Sequence, residues 1–188
     1  MNDFKKKFLR KVRAKLSRVK QEHEETEVIF ERACIDFSQA IGVYCNQNKL
    51  KSPFDKEKDK EKDKINNKEV FTDPEVKNLY KKIALSTHPD KLIHSNEENK
   101  EEKVELFNKA AKAKSSSDLG TLAEVALELK INLNELKFEQ IEILEEQVRK
   151  KEEATDEMRS SLAWVWYYSN KENRLKLIKG VFNIDDRG

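Results

Sequence analysis

Three observations predict an all-α fold, a helical hairpin inserted in a long antiparallel helical or coiled-coil stalk. The first is composition: 39% of the 188 residues are charged and 37% hydrophobic, with only four Gly and three Pro. So few helix breakers amid so much charge suit long solvated helices better than sheets. The second is a pair of long heptad seams, one near each end of the sequence. The third is a short basic amphipathic stretch that runs into His88-Pro89-Asp90 and is followed by another helical pattern.

Residues 1–50 read as one long heptad helix. Phe8, Val12, Leu16, Val19, His23, Thr26, Phe30, Ala33, Phe37, Ala40 and Tyr44 recur at alternating threes and fours, the spacing of a coiled-coil seam. The seam is polar at its centre, at His23 and Thr26. Residues 51–71 follow as a charged linker. Asp55 to Lys64 alternates acid and base strictly, so pairs three apart attract while pairs four apart repel, and helix support cancels.

The next region, 72–130, holds the hairpin. Thr72-Asp73 offers an N-cap, Pro74 suits the first helical position, and Glu75 favours the positive end of the helix dipole. Val76, Leu79, Tyr80, Ile83 and Ala84 then share one face, and Lys77, Lys81 and Lys82 form a cationic strip on the other. Pro89 disfavours the α conformation at His88, which should end the helix near Thr87. A return helix can start near Glu97, with Val104, Phe107 and Ala111 in phase. After the cap signal Ser115-Ser116-Ser117-Asp118, Leu119 to Leu129 reads as a short amphipathic helix closing over the hairpin.

Residues 131–188 complete the stalk. Asn134 can cap a helix whose seam runs Ile141, Leu144, Val148, Lys151, Thr155, Met158, Leu162 and Val165, again polar near its centre. The Trp164–Tyr168 cluster suggests an aromatic plug between helices rather than an exposed client patch. Ser169-Asn170 then breaks the chain before a last helix from Lys171 to about Phe182, with Leu175, Ile178 and Phe182 on one side.

The charge is uneven although the net value is only +2: residues 1–20 carry a local +8, and Glu135–Glu157 a local −5. That complementarity suggests that the two seam helices pack on each other. An antiparallel pairing would set basic against acidic stretches and bring the polar centres together. The same seams could instead join two copies as a homodimer. His23 reads as a tolerated polar seam residue.

His-Pro-Asp by itself is a weak motif, expected by chance in about 2% of chains this long. Its flanks make it specific. Asp73 to Ala113, with a weaker continuation to Lys130, resembles the J-domain of DnaJ-like co-chaperones: Tyr80-Lys81-Lys82-Ile83-Ala84-Leu85, then His88-Pro89-Asp90-Lys91, fit that family's second helix and signature loop without a gap. Phe107 matches the aromatic residue that the family's third helix packs against the second. The resemblance implies a co-chaperone that docks on a DnaK-type heat-shock chaperone and stimulates its ATPase. It assigns docking to His88, Pro89, Asp90, Lys77, Tyr80, Lys81, Lys82 and Lys91, with Asp90 pairing to a chaperone arginine and the lysines meeting an acidic face. The family's first helix has no counterpart in the polar stretch 52–69, so it is either missing or replaced by another segment. Leu92 stands where the family usually has a polar residue.

No Cys-x-x-Cys pair and no Gly/Phe-rich segment are present, which excludes the zinc-binding and flexible modules of full-length DnaJ. His94 reads as an exposed loop histidine, and no residues stand at metal-ligand spacing. Cys34 and Cys45 lie eleven apart on one helix and cannot bridge each other, which suggests reduced, buried thiols and a cytoplasmic location. No apolar run approaches membrane-spanning length. No nucleophile–base pair or phosphate loop points to an enzyme, and no cofactor is expected. The client is not legible. The alternative reading is a nucleic-acid or acidic-surface binder using the basic helix Lys5 to Lys20, though no stacking aromatics accompany it.

Overall fold

The computed structural model describes residues 3–53, 70–93 and 99–183. Among these there is no strand. The elements are α1 (Asp3–Asn48), a 3-10 turn at Val70–Thr72, α2 (Pro74–Thr87), α3 (Pro89–Ile93), α4 (Lys100–Ser116), α5 (Leu119–Glu128), α6 (Phe138–Ser160), α7 (Leu162–Tyr168) and α8 (Lys171–Val181). The charged linker falls largely outside the described residues, as do His94 and the expected start of the return helix near Glu97.

The described residues fall into two compact units, one drawn from 1–20 and 63–151, the other from 21–62 and 152–188. Both long helices contribute to both units.

In the first unit, α5 is the central element. Leu119, Gly120, Leu122, Ala123, Glu124, Val125 and Ala126 are all buried, so this helix is enclosed nearly all round and is not an amphipathic cover. Its start is capped by Asp118, whose carboxylate accepts from Thr121 N–H at 3.0 Å. Ser117, at φ 58°, closes α4 in the left-handed conformation just before it. Gly120 lets α5 approach α6 closely: a Cβ there would stand 3.3 Å from the Gln147 amide oxygen, which accepts from the Gly120 N–H.

Around α5 pack Leu9, Val12, Leu16 and Val19 of α1, Val76, Leu79 and Ile83 of α2, Ala110 and Ala113 of α4, and Ile141, Leu144 and Val148 of α6. Each fully buried aliphatic side chain contributes about 1.5–3 kcal/mol. One charge enters this core. The Glu124 side chain, 2% exposed, pairs with Lys151 of α6, and Lys109 of α4 lies 3.8 Å away.

The second unit has a smaller, aromatic core of Phe37, Ile41, Cys45, Ala163, Trp166 and Ile178. Phe37 and Trp166 meet at a centroid distance of 5.4 Å. The Arg174 guanidinium lies 4.6 Å from the Trp166 ring centre and donates to the Trp166 and Tyr167 carbonyls, closing the C-terminal end of α7. Cys34 and Cys45 are both free; Cys45 is buried, whereas Cys34 is only partly so, because it stands one position off the α1 face that buries Ala33, Phe37 and Ile41.

The antiparallel stalk is corrected. In the first unit Phe8 of α1 meets Phe138 of α6 at 5.3 Å, and Lys11 reaches Glu145 at 3.9 Å. In the second, His23 bonds Thr155 at 2.8 Å, and Arg159 bonds Glu22 and Thr26. Residue numbers rise together along both helices, so the pairing is parallel in each unit. A short connection would make the two helices antiparallel neighbours, whereas here the chain between them carries the hairpin and α5 and returns α6 to the end where α1 began. The two polar seam centres do meet, and the seam residues Val12, Leu16, Val19 and Phe37 are buried within the chain.

Three smaller expectations are also corrected. Asn134 does not cap α6: Leu133 and Leu136 turn inward, and α6 begins at Phe138 with the Gln140 side chain accepting from Lys137 N–H. Leu162 and Val165 are exposed, because Ser161 breaks the helix and caps α7, which shifts the buried face to Ala163 and Trp166. Leu175 is exposed while Leu177, Ile178, Val181 and Phe182 pack inward. No described helix is long and apolar enough to cross a membrane.

Candidate functional site: the His-Pro-Asp loop and the α2 strip

Local chemistry sets α2 in place. Pro74 occupies its first turn behind the N-cap Asp73. The Asp73 side chain does not cap the helix; it accepts instead from Gln140 Nε2 of α6 at 2.8 Å, tying the start of α2 to the start of α6. Glu75 reaches Lys137 at 3.4 Å. Hydrogen bonding, first to its own backbone and then to Lys137, holds its carboxyl below the usual range despite some desolvation.

At the other end, α2 stops at Thr87. His88 is extended, with φ −63° and ψ 128°, as the following proline requires. Its N–H still donates to Ala84 O, while its carbonyl accepts from the N–H groups of Lys91 and Leu92. His88 is thus both the end of α2 and the start of the single turn α3, with Pro89 at the first position. The Thr87 hydroxyl, buried, donates to Ile83 O at 2.8 Å.

His88 is held from two sides. Its ring meets Phe107 of α4 edge-on at 5.1 Å, and its Nδ1 accepts from Asp90 N–H at 3.3 Å. The Asp90 carboxylate projects outward with 84% of its side chain exposed, 3.7 Å from His88 Nδ1. Leu92 is buried, which explains an apolar residue two positions after the aspartate: it anchors α3 beneath the loop. The arrangement therefore presents one free carboxylate on a turn fixed by a proline, an aromatic contact and a buried leucine.

The α2 strip divides into three. Lys77 and Lys81 are exposed, one turn apart, and Lys91 is exposed on α3. Lys82 is engaged instead: its ammonium hydrogen-bonds Glu135, in the loop before α6, and Asn78 Nδ2 donates to the same carboxylate at 2.7 Å. The hydrogen bond from Lys82, aided by its charge and by Asn78, pulls the Glu135 carboxyl below its ordinary value. Tyr80 is half-buried on the hairpin's inner side with Lys114 over its ring at 4.4 Å.

Two residues on this surface were not assigned from sequence. Leu85 is 52% exposed one turn beyond Lys81, on the strip's own face, and its spacing from Lys77 and Lys81 is visible in the sequence. Glu135 lies 53 residues from Lys82, so no local pattern announces it. Among the described residues no group of three His, Cys, Asp or Glu side chains could hold a metal ion. Comparison with protein-family models, curated proteins and solved structures finds no match for this chain.

Proposed function

We propose that this protein is a J-domain-like co-chaperone that docks on a DnaK-type heat-shock chaperone and stimulates its ATPase. The observation that carries the reading is the presentation of Asp90. It is an exposed carboxylate on a rigid His-Pro-Asp turn, at the end of a helix whose outer face offers Lys77, Lys81 and Leu85. A carboxylate held this way can enter a partner's arginine-lined pocket and be desolvated there, a contact in which losing one partner costs about 2–5 kcal/mol. The lysines act earlier. Exposed and screened by salt, they steer encounter with an acidic surface.

The site supports activation of a partner and not chemistry of its own. The long helices then specify client or location, in the cytoplasm on this reading. No separate first helix is needed on this reading: the buried face of α2 shares one core with the start of α1, with Leu133 and Leu136, and with α6. That substitution leaves the strip and the loop on the outside.

Single-turnover ATP hydrolysis by a DnaK-type chaperone tests the proposal. The protein should accelerate hydrolysis, and His88→Gln or Asp90→Asn should return it to the unstimulated rate without changing helicity. Failure of the unaltered protein with every chaperone from a plausible host would refute it.

A further inference from the structure

A second cationic surface lies on the first unit, along the start of α1. Lys6, Lys7, Leu9, Arg10 and Arg13 of α1 and Asn134 of the loop before α6 line a cleft of about 370 Å³. Lys6, Arg10 and Arg13 are spaced four and three apart, so they follow one side of the helix over about 10 Å at 1.5 Å per residue. Among the described residues no carboxylate lines the cleft. None of its four cations has a hydrogen-bond or ion-pair partner among the described residues, whereas Lys11 and Lys20 on the same helix are paired with Glu145 and Glu128.

Like charges three and four apart on a helix repel one another weakly, and a bound polyanion would relieve that repulsion. We infer that this cleft binds a ligand carrying two or more phosphates in series, and that it reads the phosphates rather than a base.

Size and chemistry favour phosphates over an acidic peptide. The volume is that of a small-molecule site, so a matching ligand must be dense in negative charge. Consecutive phosphates meet that need, since each brings a full charge and several acceptor oxygens. A peptide spreads the same charge over several residues and flexible stems. Two of the four cations are arginines, whose planar forks match phosphate oxygens in pairs. Asn134 adds a neutral amide on the opposite wall. Among the described residues the lining contains no aromatic ring for a nucleobase to stack on. The phosphates could come from a free oligophosphate or from the backbone of a single-stranded nucleic acid.

Calorimetric titration of the full chain distinguishes the sources, using inorganic tripolyphosphate, a short oligothymidylate and an oligoglutamate of equal charge. Tripolyphosphate should bind, and Arg10→Glu with Arg13→Glu should weaken it by about tenfold or more, as expected when two charge-assisted contacts are lost. Arg10→Lys with Arg13→Lys keeps the charge and loses the fork, and should weaken binding several-fold. Lys77→Glu with Lys81→Glu makes the same change in net charge elsewhere and should leave binding intact. If oligothymidylate binds more tightly than tripolyphosphate, the source is a nucleic-acid backbone; if it binds more weakly, a free oligophosphate. Both results support the site. No binding by either phosphate ligand overturns it. So does equal affinity for oligoglutamate, or an equal loss in the Lys77/Lys81 variant. All substituted residues are exposed, and unchanged helicity and melting temperature would verify that the variants fold.

Discussion

The first unit carries two cationic surfaces built on opposite plans. Along α2 the positive charge is a shallow strip. One of its lysines is already held by Glu135, an apolar Leu85 lies among the others, and a single exposed carboxylate follows at Asp90. Along the start of α1 the charge lines a cleft, and among the described residues no carboxylate and no exposed apolar side chain lines it. A mixed surface with a projecting carboxylate suits a folded partner, because charge steers approach while apolar and hydrogen-bonded contacts hold. A concave surface of one sign suits a compact polyanion. Net charge near zero therefore conceals two separable binding chemistries on one small unit.

The largest effect expected from breaking this contrast falls on the strip. Asp90→Asn preserves size and removes only the charge, so it should abolish chaperone stimulation while tripolyphosphate binding stays within twofold in parallel titrations. Next comes the shared support. Leu122 of α5 is fully buried in the core that α1 and α2 share, and Leu122→Ala should cost about 2–5 kcal/mol in chemical denaturation. Both activities should then decline together at temperatures near the lowered melting point.

A smaller effect concerns encounter. Lys77→Glu with Lys81→Glu should slow association with the chaperone and flatten its salt dependence, measured by stopped-flow at low and physiological ionic strength, with a lesser change in dissociation. The smallest belongs to Glu135. Releasing Lys82 by Glu135→Gln should raise stimulation less than threefold, in keeping with the weight of an exposed ion pair. The pH dependence follows from the lowered Glu135 carboxyl. A depressed value means that the contact with Lys82 is fully formed above the ordinary carboxylate range and is lost as pH falls through the folded-state value. Titration of the Glu135 carboxyl by NMR should show that lowered midpoint, and Lys82→Met should move it upward.

Much of this fold can be read from spacing. The α1 seam names Val12, Leu16, Val19, Ala33 and Phe37, all of which are buried, but at its two ends the buried positions are Leu9, Ile41 and Cys45 rather than Phe8, Ala40 and Tyr44; Pro89 correctly marks the end of α2. Orientation is another matter. Heptad seams and opposite charge biases are nearly symmetric under reversal, so they bring Lys11 toward an acidic helix without saying which way it runs. Non-local partners are hidden for the same reason: Glu135 takes Lys82, and Gln140 takes Asp73, across more than fifty residues. The cations of the cleft are plain in the first twenty residues, but Asn134 on its other wall depends on where Leu133 and Leu136 turn the chain inward. The strip was legible because helix, proline and loop are contiguous.

The most direct test of the docking reading is a paired titration of single-turnover ATP hydrolysis by a DnaK-type chaperone, with the unaltered protein, Asp90→Asn, and Arg10→Glu/Arg13→Glu side by side. Stimulation by the first and third proteins, with none from Asp90→Asn, is the result expected if docking belongs to the His-Pro-Asp surface. Equal stimulation by Asp90→Asn, or stimulation lost only when Arg10 and Arg13 are reversed, would contradict it.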